Sequence, residues 1–347
     1  MAVRRKAVAL YSGGLDSTLA IKLIERQGVD VLAVYFRTGL TIADVKQRRG
    51  MKYRNPAVEY ARRYGFDFRV IDVSYEYFDV VTKPRYGYGS NINPCIDCRI
   101  FMFRKAAELM RKEGYDFLVS GEVLKQRPMT QHLQSLQLID KRAEVEGLVV
   151  RPLSARDLPP TIPELEGWID REKLEGIVGR NRQRQFELAE ELGVDEYAPP
   201  GGGGCYLTDE SFARKYREVL DVEGEMTRDH LFLLTVGRHF RLPTGTKVVV
   251  SRNAGETAAL EAMKNRYWFF DTVAQGPVAV ARPLGGGPLS RDEIETIADI
   301  LAHYSKSESG TVRVVFSSPE GSTLPGKSGE VLGKAMERDA LESLLVR

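Results

Sequence analysis

An apolar stretch, Ala7-Val8-Ala9-Leu10-Tyr11, runs directly into Ser12-Gly13-Gly14-Leu15-Asp16-Ser17. This junction constrains the fold more than any other part of the chain. The apolar run predicts a buried parallel strand, and Leu15 to Gln27 predicts a helix closed by Gly28. Strand, glycine turn and helix together aim backbone N–H groups and a helix N-terminus at a bound phosphate. Two glycines let the backbone come close to an anion, and Ser12 and Ser17 add hydroxyl donors. Asp16 is the odd member. A carboxylate beside phosphates is unfavourable unless a cation intervenes, so Mg²⁺ is implied. The Walker spacing is absent and no lysine follows the glycines. The plain alternative is a glycine turn with no ligand.

Alternation continues for about 150 residues. Val31 to Phe36, Phe68 to Val73, Phe117 to Ser120 and Leu148 to Val150 read as further strands. Pro56 to Tyr64 and Arg99 to Arg111 read as helices, the second ended by Gly114. The fold class expected is α/β, a doubly wound parallel sheet, followed by a smaller C-terminal α+β domain. Ligands of such sheets sit beyond the carboxyl ends of the strands. Ser12-Gly13-Gly14, Phe36-Arg37-Thr38-Gly39 and Ser120-Gly121-Glu122 all lie there. Residues 160 to 200 read as helical and charged, Pro199 to Gly204 as a glycine loop, and 208 to 226 as a helix. From Leu231 onward, strand-like runs (Leu231 to Val236, Thr246 to Ser251, Tyr267 to Thr272, Pro277 to Ala281, Thr311 to Phe316) mix with helices near Ala254 to Lys264 and Ser290 to Ala302. Three domains are expected: 1–160, 161–228 and 229–347.

The 347 residues suffice for two or three domains, and a net charge of only +2 means that nucleic-acid binding would have to rest on local patches. No secretory signal and no apolar span of about 20 residues is evident, so the expected location is cytoplasmic, away from membranes. Three cysteines do not make a disulfide framework. Cys95 and Cys98 form a CxxC at a loop-to-helix junction, where a helix dipole favours thiolate, and Cys205 follows the glycine run.

The run Ser12 to Ser17 resembles the PP-loop of the ATP pyrophosphatases, SGGxDS, which cleave ATP between the α and β phosphates. The resemblance implies ATP and Mg²⁺ as cofactors, with Ser12, Gly13, Gly14, Asp16, Ser17, Phe36 and Gly121 as nucleotide contacts. Asn93-Pro94-Cys95-Ile96-Asp97-Cys98 and Gly204-Cys205 resemble the tRNA thiolation enzymes of that superfamily. Their N-P-x-x-x-C and Gly-x-Cys cysteines fall on Cys98 and Cys205, which are the implied catalytic residues with Asp16. Cys95 is additional. Related enzymes hold a 4Fe–4S cluster on a CxxC and one distant cysteine, which implies a cluster on Cys95, Cys98 and Cys205 with one iron left open. A persulfide and disulfide pair of Cys98 with Cys205, a zinc site and inert thiols remain alternatives. Ser120-Gly121-Glu122-Val123-Leu124-Lys125-Gln126-Arg127 looks like the G-E-x-L-x-Q segment of thiouridine synthases, and Arg151-Pro152-Leu153 like a third family element.

RNA contacts are expected at basic clusters. Lys46 to Arg63 interleaves seven cations with Tyr53, Tyr60 and Tyr64, and Arg180, Arg182 and Arg184 alternate. The C-terminal segment is similar to the RNA-binding NFACT-R domain, chiefly at Ser251-Arg252-Asn253-Ala254. Lys52, Arg54, Arg127, Arg182, Arg238 and Arg252 are the RNA-binding candidates, with Arg241 a further cation; His239 is read as packed or RNA-contacting rather than as a general base. Solvated helix faces are the plain alternative.

The resemblance implies ATP-dependent tRNA thiolation. A uridine carbonyl oxygen is adenylated and replaced by sulfur from free sulfide, a carrier protein or a cysteine desulfurase. An amide-forming or other sulfur-transferring ligase and a non-catalytic RNA-binding module are the rivals. The tRNA, the uridine position, 2-thio against 4-thio product, and assembly as a homodimer are not written in the sequence.

Overall fold

The computed structural model describes residues 4–199, 204–273, 275–320 and 328–346. The glycine run expected to form a loop lies largely outside them, at 200–203; Gly204 and Cys205 lie within. The chain divides into two compact units, residues 1–44 with 54–208, and residues 45–53 with 209–347.

In the first unit the elements alternate as the apolar runs require. They are β1 (Lys6–Leu10), α1 (Leu15–Glu25), β2 (Asp30–Arg37), α2 (Ile42–Arg48, which runs across the division), α3 (Pro56–Arg63), β3 (Asp67–Asp72), α4 (Ser74–Thr82), α5 (Cys95–Glu113), β4 (Phe117–Ser120), α6 (Leu133–Arg142), β5 (Val149–Val150), α7 (Ile162–Leu165) and α8 (Gln183–Leu192). The five strands form one parallel sheet in the order β3-β2-β1-β4-β5. Strand periodicity assigns its two faces. Ala7 and Ala9 of β1 pack with Leu19 of α1 and Leu188 of α8, whereas Val8 packs on the other face with Phe103 of α5 and Ile139 of α6. The order reverses between β1 and β4, so the turns leaving these two strands flank the crevice where such sheets bind ligands.

Local signals explain the helix ends. Asn55 accepts a hydrogen bond from Ala57 N and Pro56 opens α3, while α5 stops at Gly114 in the left-handed conformation, φ +71°. The second helix begins earlier than its apolar pattern predicts, at Cys95 rather than Arg99, so both cysteines of the CxxC occupy its first turn. Among the described residues from 160 to 199 only α7 and α8 are α-helical; one 3₁₀ turn, Arg171–Lys173, and irregular stretches fill the rest.

The second unit contains α9 (Glu210–Glu223), α10 (Arg228–Leu233), β6 (Arg238–Arg241), β7 (Lys247–Val250), α11 (Ala254–Glu261), β8 (Trp268–Thr272), β9 (Val278–Arg282), α12 (Arg291–Tyr304), β10 (Thr311–Ser317), β11 (Ser328–Lys334) and α13 (Arg338–Leu344). Its sheet is antiparallel throughout, in the order β11-β10-β8-β9-β7-β6. One face packs α12 through Ile297, Ala298 and Leu301, and the other packs Leu233 and Leu260 from α10 and α11. The strand expected at Leu231 to Val236 is instead the end of α10. A short apolar run carries no period of its own, and Thr227 decides it by capping His230 N at 3.1 Å. The whole is α/β with a separate α+β unit, as the motif order predicts. Among the described residues no helix is long and apolar enough to cross a membrane.

Candidate active site

The turn after β1 is built by steric necessity at its glycines. Gly13 has φ +78°, and a Cβ there would lie 2.7 Å from the backbone of Ala57. Gly121, in the turn after β4, is pressed on α1: a Cβ there would lie 2.6 Å from the backbone of Asp16 and Ser17. The two turns that flank the crevice therefore touch, and only glycine permits it. Ser17 Oγ donates to Gly14 O at 3.0 Å and lies 3.3 Å from Ser12 Oγ, which gathers both hydroxyls at the start of α1.

The Asp16 carboxylate faces donors from distant parts of the first unit. Gln126 Nε2 donates to Oδ2 at 2.8 Å, and an Arg182 guanidinium nitrogen lies 3.4 Å from Oδ1. Gln185, wholly buried on α8, donates to Gln126 Oε1 at 3.1 Å and so fixes the orientation of that amide. Gln185 Oε1 and Arg182 Nε are buried without a partner among the described residues. Unanswered polar atoms at the crevice suit a polar ligand. Asp16 is a carboxylate of the kind that Mg²⁺ takes alongside substrate phosphates.

Behind the second turn lies a buried charge chain. Glu122, 2% exposed, accepts from Arg151 Nε at 3.0 Å, and Arg151 holds Asp140 through two hydrogen bonds of 2.7 and 2.8 Å. Burial works against the Arg151 charge, but Glu122 and Asp140 outweigh it and hold the guanidinium above its ordinary value. Arg99, next to the CxxC, lies 3.6 Å from the other Glu122 oxygen. Arg127 is exposed as a residue, yet its guanidinium is crowded; desolvation and then Arg99 lower it, while Asp16, Cys95 and Glu122 raise it. One electrostatic neighbourhood thus joins the phosphate turn, the second turn and the first cysteine.

Hydrogen bonds tie the third cysteine to the loop that leads into the other two. Asn91 Nδ2 donates to Thr208 O at 2.7 Å, Ile92 N to Leu207 O at 3.4 Å, and the Cys205 thiol to Asn93 Oδ1 at 3.8 Å. Tyr77, buried on α4, lies beside these thiols: burial first, and then the charges of Cys98, Cys205 and Cys95, push its hydroxyl well above the ordinary value. The helix N-terminus does not make these thiols acidic. Burial pushes Cys95 and Cys98 up, and burial with Cys98 nearby pushes Cys205 to about 12. All three are free thiols. The donor set contains no imidazole or carboxylate, which suits iron–sulfur or other soft-metal chemistry. Among the described residues no three His, Cys, Asp or Glu side chains are drawn together into a site for a metal ion.

The remaining candidates have surroundings of their own. Phe36 is buried in the core with Ile96 and Ile100, leaving only its backbone at the end of β2. Arg54 is open to solvent, its side chain 88% exposed, and Lys52, in the second unit, is exposed too. Arg238 lies 4.2 Å above the ring of Tyr304, Arg241 is held by Glu218 and Glu223, and Arg252 pairs with the enclosed Glu256. Tyr77, Arg99 and Gln185 carry no motif of their own. The nearest signals are the adjacency of Arg99 to Cys98 and the polar alternation of residues 180–185.

A parallel sheet with a double-glycine turn at its reversal point defines the class, a doubly wound α/β unit, here joined to an α+β unit. Similarity to known proteins makes this specific. Residues 2–160 match the family described as Thiamine biosynthesis protein (ThiI), and residues 237–330 match the NFACT protein RNA binding domain. The tRNA-specific 2-thiouridylase MnmA of Petrotoga mobilis is 28% identical over 35% of this chain and 36% of its own length. That of Thermotoga petrophila is 21% identical over 80% of this chain and 76% of its own. A tRNA sulfurtransferase of Desulfurococcus amylolyticus is 24% identical over 44% of this chain and 30% of its own. This chain thus spans about a third of the first relative's length. The resemblance to PP-loop tRNA thiouridine synthases, with an NFACT-type RNA-binding domain behind, is borne out.

Proposed function

We propose that the protein thiolates a uridine of tRNA at the expense of ATP. The observation that carries this reading is the contact between the phosphate turn at Asp16 and Gly121, together with a charge neighbourhood that runs from Asp16 through Arg127 to Cys95. A uridine drawn out of its stack presents a carbonyl oxygen to the α-phosphorus. The new P–O bond forms as the bond to pyrophosphate breaks. N–H groups at the start of α1, with Ser12 and Ser17, stabilise the developing charge, and Asp16 would hold Mg²⁺, which would neutralise phosphate charge there. Sulfur at the sulfide level then bonds to the ring carbon, and the C–O bond breaks as AMP leaves with its electron pair. No net oxidation occurs.

Cys95, Cys98 and Cys205 are the residues that would hold a 4Fe–4S cluster. Such a cluster supplies, when bound, an open iron that can carry sulfide. Arg99, Arg127 and the Tyr77 hydroxyl offset the charge of three thiolates. The alternative is a Cys98 persulfide, which Cys205 attacks to release sulfide and leave a Cys98–Cys205 disulfide. The hydrogen bond between Cys205 and the Asn93 loop, close to Cys98, favours keeping that route in view.

One experiment tests both levels. Pyrophosphate release and tRNA thionucleoside content are measured for Asp16→Ala and Cys95→Ala. Asp16→Ala is expected to release no pyrophosphate, and retained release overturns the ATP assignment. Cys95→Ala is expected to lose thiolation along with the brown colour and bound iron of anaerobically purified protein. A colourless, iron-free variant that still thiolates assigns the chemistry to the Cys98 and Cys205 pair.

A further inference from the structure

Residues 45–53 belong to the second unit, where they meet the start of α11. The approach is close enough to exclude side chains: a Cβ on Gly255 would lie 2.2 Å from Gly50 Cα, and Gly50 has φ +74°. This contact sets Arg49 beside the first turn of α11. Its Nε lies 3.8 Å from Glu256 and donates to Thr235 O at 2.8 Å. Arg252 closes on the same carboxylate, and its backbone N–H donates there at 2.9 Å. Glu256 is fully buried, so its charge is spent inside the protein.

Lys215, half-buried on α9, faces this group. The charges acting on it are Arg252 and Arg49, opposed by Asp209 and Glu256. Neither carboxylate is available to it. Asp209 caps α9 by accepting from Phe212 N at 2.8 Å, and Glu256 is taken by Arg252. Among the described residues the Lys215 ammonium makes no hydrogen bond or ion pair. Burial and the two arginines bring its pKa down to about 8. A half-buried, unanswered ammonium beside two guanidinium groups lacks one kind of partner, an oxyanion. The arginine side chains retain 22% and 34% of their surface, so the place is open from outside.

We infer that Arg49, Lys215 and Arg252 form a phosphate-binding site that takes a backbone phosphodiester of the bound RNA. Only Arg252 of the three lies within the segment matching an RNA-binding domain; Arg49 and Lys215 come from elsewhere in the chain. The inference rests on the reading that the protein binds tRNA.

The test uses the full chain. Affinity for tRNA is measured from 50 to 300 mM KCl for the native protein, Lys215→Gln and Lys215→Arg, and labelling of Lys215 by an acetylating reagent is followed with and without tRNA or inorganic phosphate. Loss of one phosphate contact is expected to flatten the slope of log K against log salt by about one. Lys215→Arg is expected to restore the native slope, and tRNA to protect Lys215 from acetylation. An unaltered slope in Lys215→Gln, with Lys215 acetylated equally in the presence and absence of tRNA or phosphate, overturns the site. Protection by millimolar phosphate with an unaltered tRNA slope overturns the RNA assignment and leaves a site for free phosphate. A native protein with no salt-dependent tRNA binding overturns the RNA reading itself, a result distinct from both.

Discussion

His239 on β6 is wholly enclosed, with Nε2 2.9 Å from Val236 O and Nδ1 without a partner among the described residues. Burial, and then Lys247 and Lys215, hold this imidazole neutral well below its ordinary 6.5. The sign follows from linkage: a depressed folded pKa contributes stability above the unfolded value, and that stability drains away as pH falls below it. Between pH 6.5 and 5.5, before most carboxylates titrate, His239 is expected to cost up to about 1.4 kcal/mol per pH unit. Denaturant unfolding of His239→Gln should show a shallower loss over that interval, and identical slopes would refute it. At this scale the sequence is legible where chemistry is local. Asp16, the two glycines before it and the cysteines stand out because few other uses explain their residue types. Gln185 and Tyr77 did not stand out. Each matters through a partner more than twenty residues away, Gln126 or Cys98, and a solitary polar or aromatic residue carries no sign of such a partner. The expected acidity of the CxxC thiols failed for a related reason: the helix N-terminus was legible, and the burial that outweighs it was not.

Among elements, the turn after β4 meets the first turn of α1 through Gly121, and the whole candidate site depends on this packing. Its φ is not left-handed, so the requirement is one of space alone. In Gly121→Ala the methyl carbon would meet the Asp16 carbonyl and the Ser17 amide nitrogen at 2.6 Å, both backbone atoms that cannot swing aside. The turns must part, at a cost of about 1–3 kcal/mol typical of overpacking. The expected outcome is a lowered denaturation midpoint and a larger fall in ATP affinity than the stability change explains. Unchanged stability and nucleotide binding would show that the turns do not touch. Strands β1, β2 and β4 were readable because parallel strands buried on both faces are continuous apolar runs. The short run at Leu231 to Val236 was misread because a cap, Thr227, rather than a period, makes it helical. Strands β6 and β11 were missed because Arg238–Arg241 and Ser328–Lys334 are polar strands that pair at the two edges of their sheet.

For the molecule as a whole, a net charge of +2 over 347 residues rules out a long-range field as the source of RNA affinity. Many of its cations are also already spent: Arg151 on Glu122 and Asp140, Arg184 on Glu175 and Glu191, Arg241 on Glu218 and Glu223. Affinity must then come from the few cations that keep an open side, such as Lys52, Arg54 and the Lys215 group. That predicts a moderate salt slope rather than the steep one of a strongly basic protein. With about four phosphate contacts, raising salt from 50 to 200 mM lowers affinity by roughly two decades. The same experiment on Asp16→Ala should give the same line, because in the proposed reaction Asp16 serves the nucleotide instead of the RNA backbone. A slope near zero would leave the basic clusters as solvated faces. A slope twice as steep would mean that paired arginines open to meet RNA, and that the ion pairs seen here are a resting arrangement which the substrate breaks.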